Sequence, residues 1–386
     1  MTVYTAAECR LDDLVAVMAA VPQPSQYPHA SGMDSGAVVF DWPTMETAIG
    51  DPVHRREVLA ELAHALGVEG TGVVVLRQAV RLDAVDVVSE AFRAMIAEQH
   101  ASGAVAGDHF AKPGANDRVW NALEKLAVAE PEAFADYYAS TALALVSRAW
   151  LGPWFQMTSQ VNVVNPGGQA QSPHRDYHLG FLSDSQAEQF PAHVHHLSPA
   201  LTLQGAVAHC DMPVETGPTL YLPRSHRYAL GYLAWRRPEF IEYFDEHHVQ
   251  LPLRKGDAVF FNPALFHAAG TNRTTDVRRM ANLLQVSSAM GRAMETVDRE
   301  RMSRALYPVL LRRVLSGGVD ESVRNVVAAS AEAYAFPTNL DRDPPIDGLA
   351  PATQADLVLG SLAERLDAAT FDARLAAHSR RRLTHD

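Results

Sequence analysis

A mainly antiparallel β core with helices before and after it, an α+β arrangement, is the fold class that the 386 residues predict. Two observations carry it. Between residues 200 and 290, short strand-like segments alternate with turn signals about every 8–12 residues, the texture of a sandwich or barrel. On either side, apolar residues recur at helical spacing instead.

The elements follow in order. Thr5 and Glu8 stand at capping-box spacing, and Leu11, Leu14, Val15 and Met18 share one helical face. VPQPSQYPHASGMDSG (21–36) is a loop by its Pro, Ser and Gly content. A helix over 52–66 carries Val58, Leu59, Leu62 and Leu66 and stops at Gly67. GTGVVVLRQAV (70–80) is a β-branched strand, and 82–99 is a helix through Val85, Val88, Phe92 and Met95. Residues 106–122 are a loop of varied polar side chains entering a helical segment over 121–151. FQMTSQVNVVN (155–165) is a strand, closed by the turn Pro166-Gly167-Gly168. LTLQGAVAHC (201–210) and RRMANLLQVSS (278–288) are strands, and VQLPLRKGDAVFFN is a hairpin about Lys255-Gly256-Asp257. Three or four helices follow residue 291, broken by FPTNLDRDPPIDGLAP (336–351). The chain divides into an N-terminal helical and loop extension (1–55), a core (56–290) and a helical C-terminal region (291–386).

Composition excludes several partner classes. The formal charge of −12 disfavours a phosphate backbone as partner. Two cysteines, Cys9 and Cys210, offer no disulfide framework and fit a reducing cytoplasm. The N-terminus has no signal-peptide pattern, and no apolar run reaches the roughly 18 residues of a membrane span.

The chemistry starts at QSPHRDYHLG (171–180). On a strand or its extended exit, residues i and i+2 point to one side, so His174 and Asp176 project together and Arg175 away from them. The pair could simply decorate a loop. To hold a metal it needs a third ligand, for which His267 in DAVFFNPALFHAAGTN is the candidate. Two histidines and one carboxylate leave coordination positions open, the facial triad of non-haem Fe(II) oxygenases. A zinc hydrolase could use the same donors.

Three segments resemble the phytanoyl-CoA dioxygenase family of Fe(II)/2-oxoglutarate oxygenases. SPHRDYHL resembles its H-x-D strand exit. MPVETGPTLYLPRSHR resembles its E-N-G-x-x-x-x-x-P-G-S-H segment, with Thr216 for Asn and Arg224 for Gly. FHAAGTNRTTDVRR resembles its distal histidine and the arginine that follows. The resemblance covers about residues 68–290. It implies a double-stranded β-helix (jelly roll) with Fe(II) held by His174, Asp176 and His267. Arg278, eleven residues past His267, would clamp the distal carboxylate of 2-oxoglutarate from inside the barrel, with Arg279 outside. The position two past His267, often Ser in the family, is Ala269. Gln160 and Asn162 either hold the other end of 2-oxoglutarate or face solvent. Tyr177, His178, Trp120 and His109 are candidate contacts to a small-molecule substrate.

The implied reaction uses O2 and decarboxylates 2-oxoglutarate to succinate while hydroxylating a C–H bond. Desaturation or cyclisation on the same iron, or a non-catalytic jelly-roll binding or sensor protein, are the alternatives. Halogenation is disfavoured, because Asp176 fills the position that chloride would need. No general base is required, so His209 and His226 are expected to make structural hydrogen bonds. His195-His196 and His247-His248 are expected in solvent. The C-terminal helices would cover the pocket or form a homodimer contact.

Overall fold

The computed structural model describes residues 3–103 and 114–385. Among these, strands β1 (Gly32–Asp34), β2 (Ala37–Asp41), β3 (Val73–Arg77), β4 (Asn116–Val119), β5 (Gln156–Val164), β6 (Thr202–Ala208), β7 (Leu220–Leu222), β8 (Val249–Gln250), β9 (Ala258–Phe261), β10 (Phe266–Ala268) and β11 (Arg279–Ser287) form two sheets. The larger runs β1-β2-β3-β9-β6-β11-β5-β4 and the smaller β10-β7-β8. All pairings are antiparallel except β2 with β3. A single-residue bridge between His174 and His267 adds the 170s segment to the small sheet beyond β10. The fold is a jelly roll within an α+β chain. The first 55 residues, expected as helix and loop, also supply β1 and β2, which extend the large sheet's edge.

Side-chain alternation assigns the faces. Val73, Val75, Val259, Phe261 and Tyr221 fill the space between the sheets. The opposite face of the large sheet, through Val74, Leu76, Val161, Phe260, Met280, Leu284 and Val286, packs under helices. Leu123, Phe134 and Leu143 belong to that layer, and so do Leu306, Leu310 and Val326 from beyond residue 291. The C-terminal region is helical over Arg299–Gly317, Glu321–Ser330, Gln354–Ala363 and Ala368–Arg381. Thr353 caps the third of these, its Oγ1 accepting from the Asp356 N–H at 3.0 Å. Outside the small sheet, Leu220, Leu222, Phe266 and Ala268 pack on Leu14, Met18, Phe240 and Phe244. The helix Leu11–Met18 therefore covers the back of the sheet that carries His267, while its Val15 is exposed.

Two histidines are locked in the core as neutral rings. His209 lies between Ser89 Oγ (2.8 Å) and Tyr137 Oη (3.0 Å), and burial pushes its pKa down to about 3. His226 bonds the Gly67 carbonyl at 2.8 Å, and burial lowers its pKa to about 4. Unfolded, both rings take up protons below about pH 6.5. Stability rises with pH wherever the unfolded state binds more protons, so this contribution is complete above that value and is lost as pH falls toward the folded pKa. The denaturant midpoint should fall between about pH 7 and pH 5. A flat profile would show that these rings are protonated in the folded protein. His195, expected in solvent, is instead buried, with Nε2 3.1 Å from the Ala187 carbonyl.

Candidate active site

His174 and His267 exchange both backbone hydrogen bonds, at 2.9 and 3.1 Å. Directly opposed residues on an antiparallel pair project to the same face, and the two rings lie 4.4 Å apart between centroids. Asp176 follows two residues later on the same side. His174 Nε2 is 3.8 Å from Asp176 Oδ1, and His267 Nε2 is 3.4 Å from Asp176 Oδ2. One ligand atom from each residue lies within 4.8 Å of the others.

The surroundings prepare these three side chains for a cation. Each imidazole uses Nδ1 on a backbone carbonyl, His174 on Ser172 at 3.0 Å and His267 on Leu265 at 2.9 Å. That bond fixes the tautomer and leaves Nε2 with its lone pair. Gln204 donates from Nε2 to Asp176 Oδ2. Burial opposes ionisation of Asp176, but His174, then His267 and Gln204, hold it well below the usual carboxylate range. The donors fit a divalent transition metal with open positions.

Arg175, between His174 and Asp176 in sequence, points away and is buried. Its Nη2 donates to the carbonyls of Ser225 (2.7 Å) and Tyr228 (2.9 Å), and its guanidinium lies about 5 Å from the Tyr232 and Phe266 ring centres. It anchors the His174–Asp176 segment from behind. A Cβ at Gly231 would lie 1.9 Å from Arg175 Cζ. Gly231→Ala should therefore destabilise the fold by about 1–3 kcal/mol, the cost of overpacking, and weaken metal binding. Unchanged denaturation and metal affinity would show that Arg175 does not support the segment.

The inner cavity, about 180 Å³, has His174, Asp176 and His267 in its wall together with Arg279, Asn162, Gln204, Thr219 and Trp120. Here one expectation is reversed. Arg278 is the outer arginine, donating to Asp117 Oδ2 at 2.6 Å and Asn165 Oδ1 at 3.1 Å, with its side chain 57% exposed. Arg279 is 6% exposed and faces the cavity. The register of β11 is the physical reason. Ala281 pairs with Asn162 and Leu283 with Gln160, so residues 279, 281, 283 and 285 share the concave face. Met280, Leu284 and Val286 belong to the core beneath the helices. The inward arginine thus stands twelve residues past His267, not eleven. Among the described residues no acidic side chain pairs with Arg279, and its Nη1 has no hydrogen-bond partner. Burial lowers its pKa only to about 10, so it remains a cation.

The other site candidates divide. Asn162 lines the cavity and accepts from Asn116 Nδ2 at 3.0 Å. Gln160 does not reach solvent; its amide bonds Gln285 at 3.1 Å and Arg118. Trp120 lines the cavity, 4.6 Å from the Arg118 guanidinium. Tyr177 is buried and His178 turns to Ser198 Oγ at 3.3 Å; neither is among the cavity-lining side chains. His109 lies outside the described residues. Sequence reading passed over Gln204 and Thr219. Gln204 had a signal, an amide in the otherwise apolar strand LTLQGAVA, placed by β6 opposite Gln285. An outer cavity of about 810 Å³ also reaches His174 and Asp176 and is bounded by Phe181, Trp235 and the 166–172 turn.

Comparison with known proteins bears on this geometry. The family model described as phytanoyl-CoA dioxygenase matches residues 68–280. Dioxygenase trt7 of Aspergillus terreus is 30% identical over 132 residues, 34% of this chain and 41% of the relative. Dioxygenase cdmD of Talaromyces verruculosus is 29% identical over 128 residues, 33% of this chain and 38% of the relative. The chain thus spans about two fifths of the length of these relatives. Among solved structures, the non-heme alpha ketoglutarate dependent epimerase SnoN from nogalamycin biosynthesis is 19% identical, covering 62% of this chain and 82% of its own at a TM-score of 0.41. The carbocyclase SnoK from the same biosynthesis is 21% identical, covering 63% and 89% at 0.41. Among the described residues, no helix is long and apolar enough to cross a membrane.

Proposed function

Because the chain belongs to the phytanoyl-CoA dioxygenase family, we propose that it is an Fe(II)/2-oxoglutarate-dependent oxygenase that hydroxylates an unactivated C–H bond of a small-molecule metabolite. The observation that carries this reading is the buried Arg279, without an acidic partner among the described residues, facing the cavity that holds His174, Asp176 and His267. A buried cation without a counter-ion is costly, and a carboxylate ligand relieves that cost.

His174, Asp176 and His267 would hold Fe(II). When bound, iron and O2 supply C–H oxidation coupled to decarboxylation of 2-oxoglutarate to succinate. Arg279 presents a planar guanidinium that matches the distal carboxylate of 2-oxoglutarate with two charge-assisted hydrogen bonds. Asn162 can meet the cosubstrate from the neighbouring strand β5, and Gln160 braces Gln285 and Arg118. Gln204 steadies the Asp176 carboxylate. Substrate would enter by the outer cavity past Phe181 and Trp235, with Trp120 closer to the reacting centre.

Turnover of a metabolite set with Fe(II), 2-oxoglutarate and O2 tests this reading. One succinate should form per oxidised substrate, and the product should gain one oxygen atom. A product lighter by two hydrogens would assign desaturation or cyclisation instead, and turnover without succinate would remove 2-oxoglutarate from the scheme.

A further inference from the structure

We propose that His29, His54 and Glu57 form a second metal site, for Zn2+ or a similar transition cation with nitrogen and carboxylate donors. It joins the loop before β1 to the helix Pro52–Leu66 and uses none of the residues of the cavity. His54 and Glu57 stand three apart on that helix, so they share one exposed face. His29 reaches them from the loop. One ligand atom from each lies within 4.8 Å of the other two. His29 Nε2 is 3.4 Å from Glu57 Oε2, and two donors at tetrahedral angles on Zn2+ stand roughly 3.3–3.5 Å apart at ordinary bond lengths. The rings of His29 and His54 are 6.0 Å apart at 68°, so a rotamer adjustment of the exposed His54 completes the set.

A second feature sets this cluster apart from a chance grouping of surface charges. His29 is fixed from behind. Glu61, one turn further along the helix and 7% exposed, bonds His29 Nδ1, and its two oxygens lie 3.2 and 3.1 Å from the His29 backbone N–H. A carboxylate on the far ring nitrogen is the usual support of a metal-ligating histidine; it sets the tautomer and aims Nε2 at the metal. Here that nitrogen is aimed at Glu57. Three protein donors leave the fourth position to water. The bound cation clasps the loop to the helix.

Zinc titration of the metal-stripped full chain against a chromophoric chelator tests the site. In a His174→Ala/His267→Ala background, which removes two ligands of the cavity site, one equivalent should still bind. Adding His54→Ala should weaken that binding by more than about tenfold, and Glu57→Gln should act in the same direction. His247→Ala, an exposed histidine on another helix, should change nothing. The wild-type chain supplies the same reading without the cavity substitutions, since His54→Ala should remove one equivalent of bound zinc. Zinc should also raise the melting temperature of the background protein and leave that of its His54→Ala form unmoved. Zinc stoichiometry and affinity that ignore His54→Ala would overturn the proposal, as would a background protein that binds no zinc.

Discussion

Arg279→Ala should raise the 2-oxoglutarate concentration needed for half-maximal succinate formation by well over tenfold, while Arg278→Ala should barely move it. Arg279 is buried, faces the cavity and has no acidic partner among the described residues. Losing a paired, desolvated guanidinium–carboxylate contact costs roughly 2–5 kcal/mol. Arg278 is mostly exposed, holds Asp117 and Asn165, and is not among the cavity-lining side chains. Its loss would loosen the end of β11 against β4 and β5 without opening the cavity. Lysine at 279 should recover only part of the affinity, because an ammonium keeps the charge but not the two-pronged geometry. Equal effects at 278 and 279 would mean that neither side chain meets the cosubstrate.

His174→Ala should abolish turnover rather than weaken it. The substitution removes one of the three donors that cluster among the described residues, and it does so on the one-residue bridge to His267 rather than within a long strand. Backbone pairing through His174 N and O survives the change, so the fold should hold while the metal is lost. Asp176→Gly should likewise end turnover. Residual succinate formation at the wild-type rate in His174→Ala, with circular dichroism unchanged, would show that the ligands lie elsewhere.

The clustering of His174, Asp176 and His267 was legible because it depends on short-range geometry. His174 and Asp176 share a side through the two-residue period of an extended chain, and His267 follows an apolar strand in a position that must turn inward. The choice between Arg278 and Arg279 depends on something different. Both faces of β11 carry leucine and an amide, so composition does not orient the strand. Its parity is set by pairing with β5, more than a hundred residues earlier, and by one residue more than expected between His267 and the inward arginine. A slip of one residue exchanges every side chain between faces. The strands β1 and β2 were hidden for a related reason. GMD and AVVFD are short, lie beside a Pro- and Ser-rich loop, and gain their strand character from the edge they extend. Gln204 illustrates the converse, since a lone amide in an apolar strand marks an inward polar contact once its partner is known.

The most direct measurement is an anaerobic titration of the metal-stripped chain with Fe(II) and then 2-oxoglutarate, followed by visible absorption. A weak charge-transfer band should appear only when both are present. It should saturate at the same 2-oxoglutarate concentration in wild type and Arg278→Ala, demand well over ten times more in Arg279→Ala, and be absent in His174→Ala. Iron that binds without producing such a band at any 2-oxoglutarate concentration would contradict a cosubstrate site spanning Arg279 and the His174–Asp176–His267 triad.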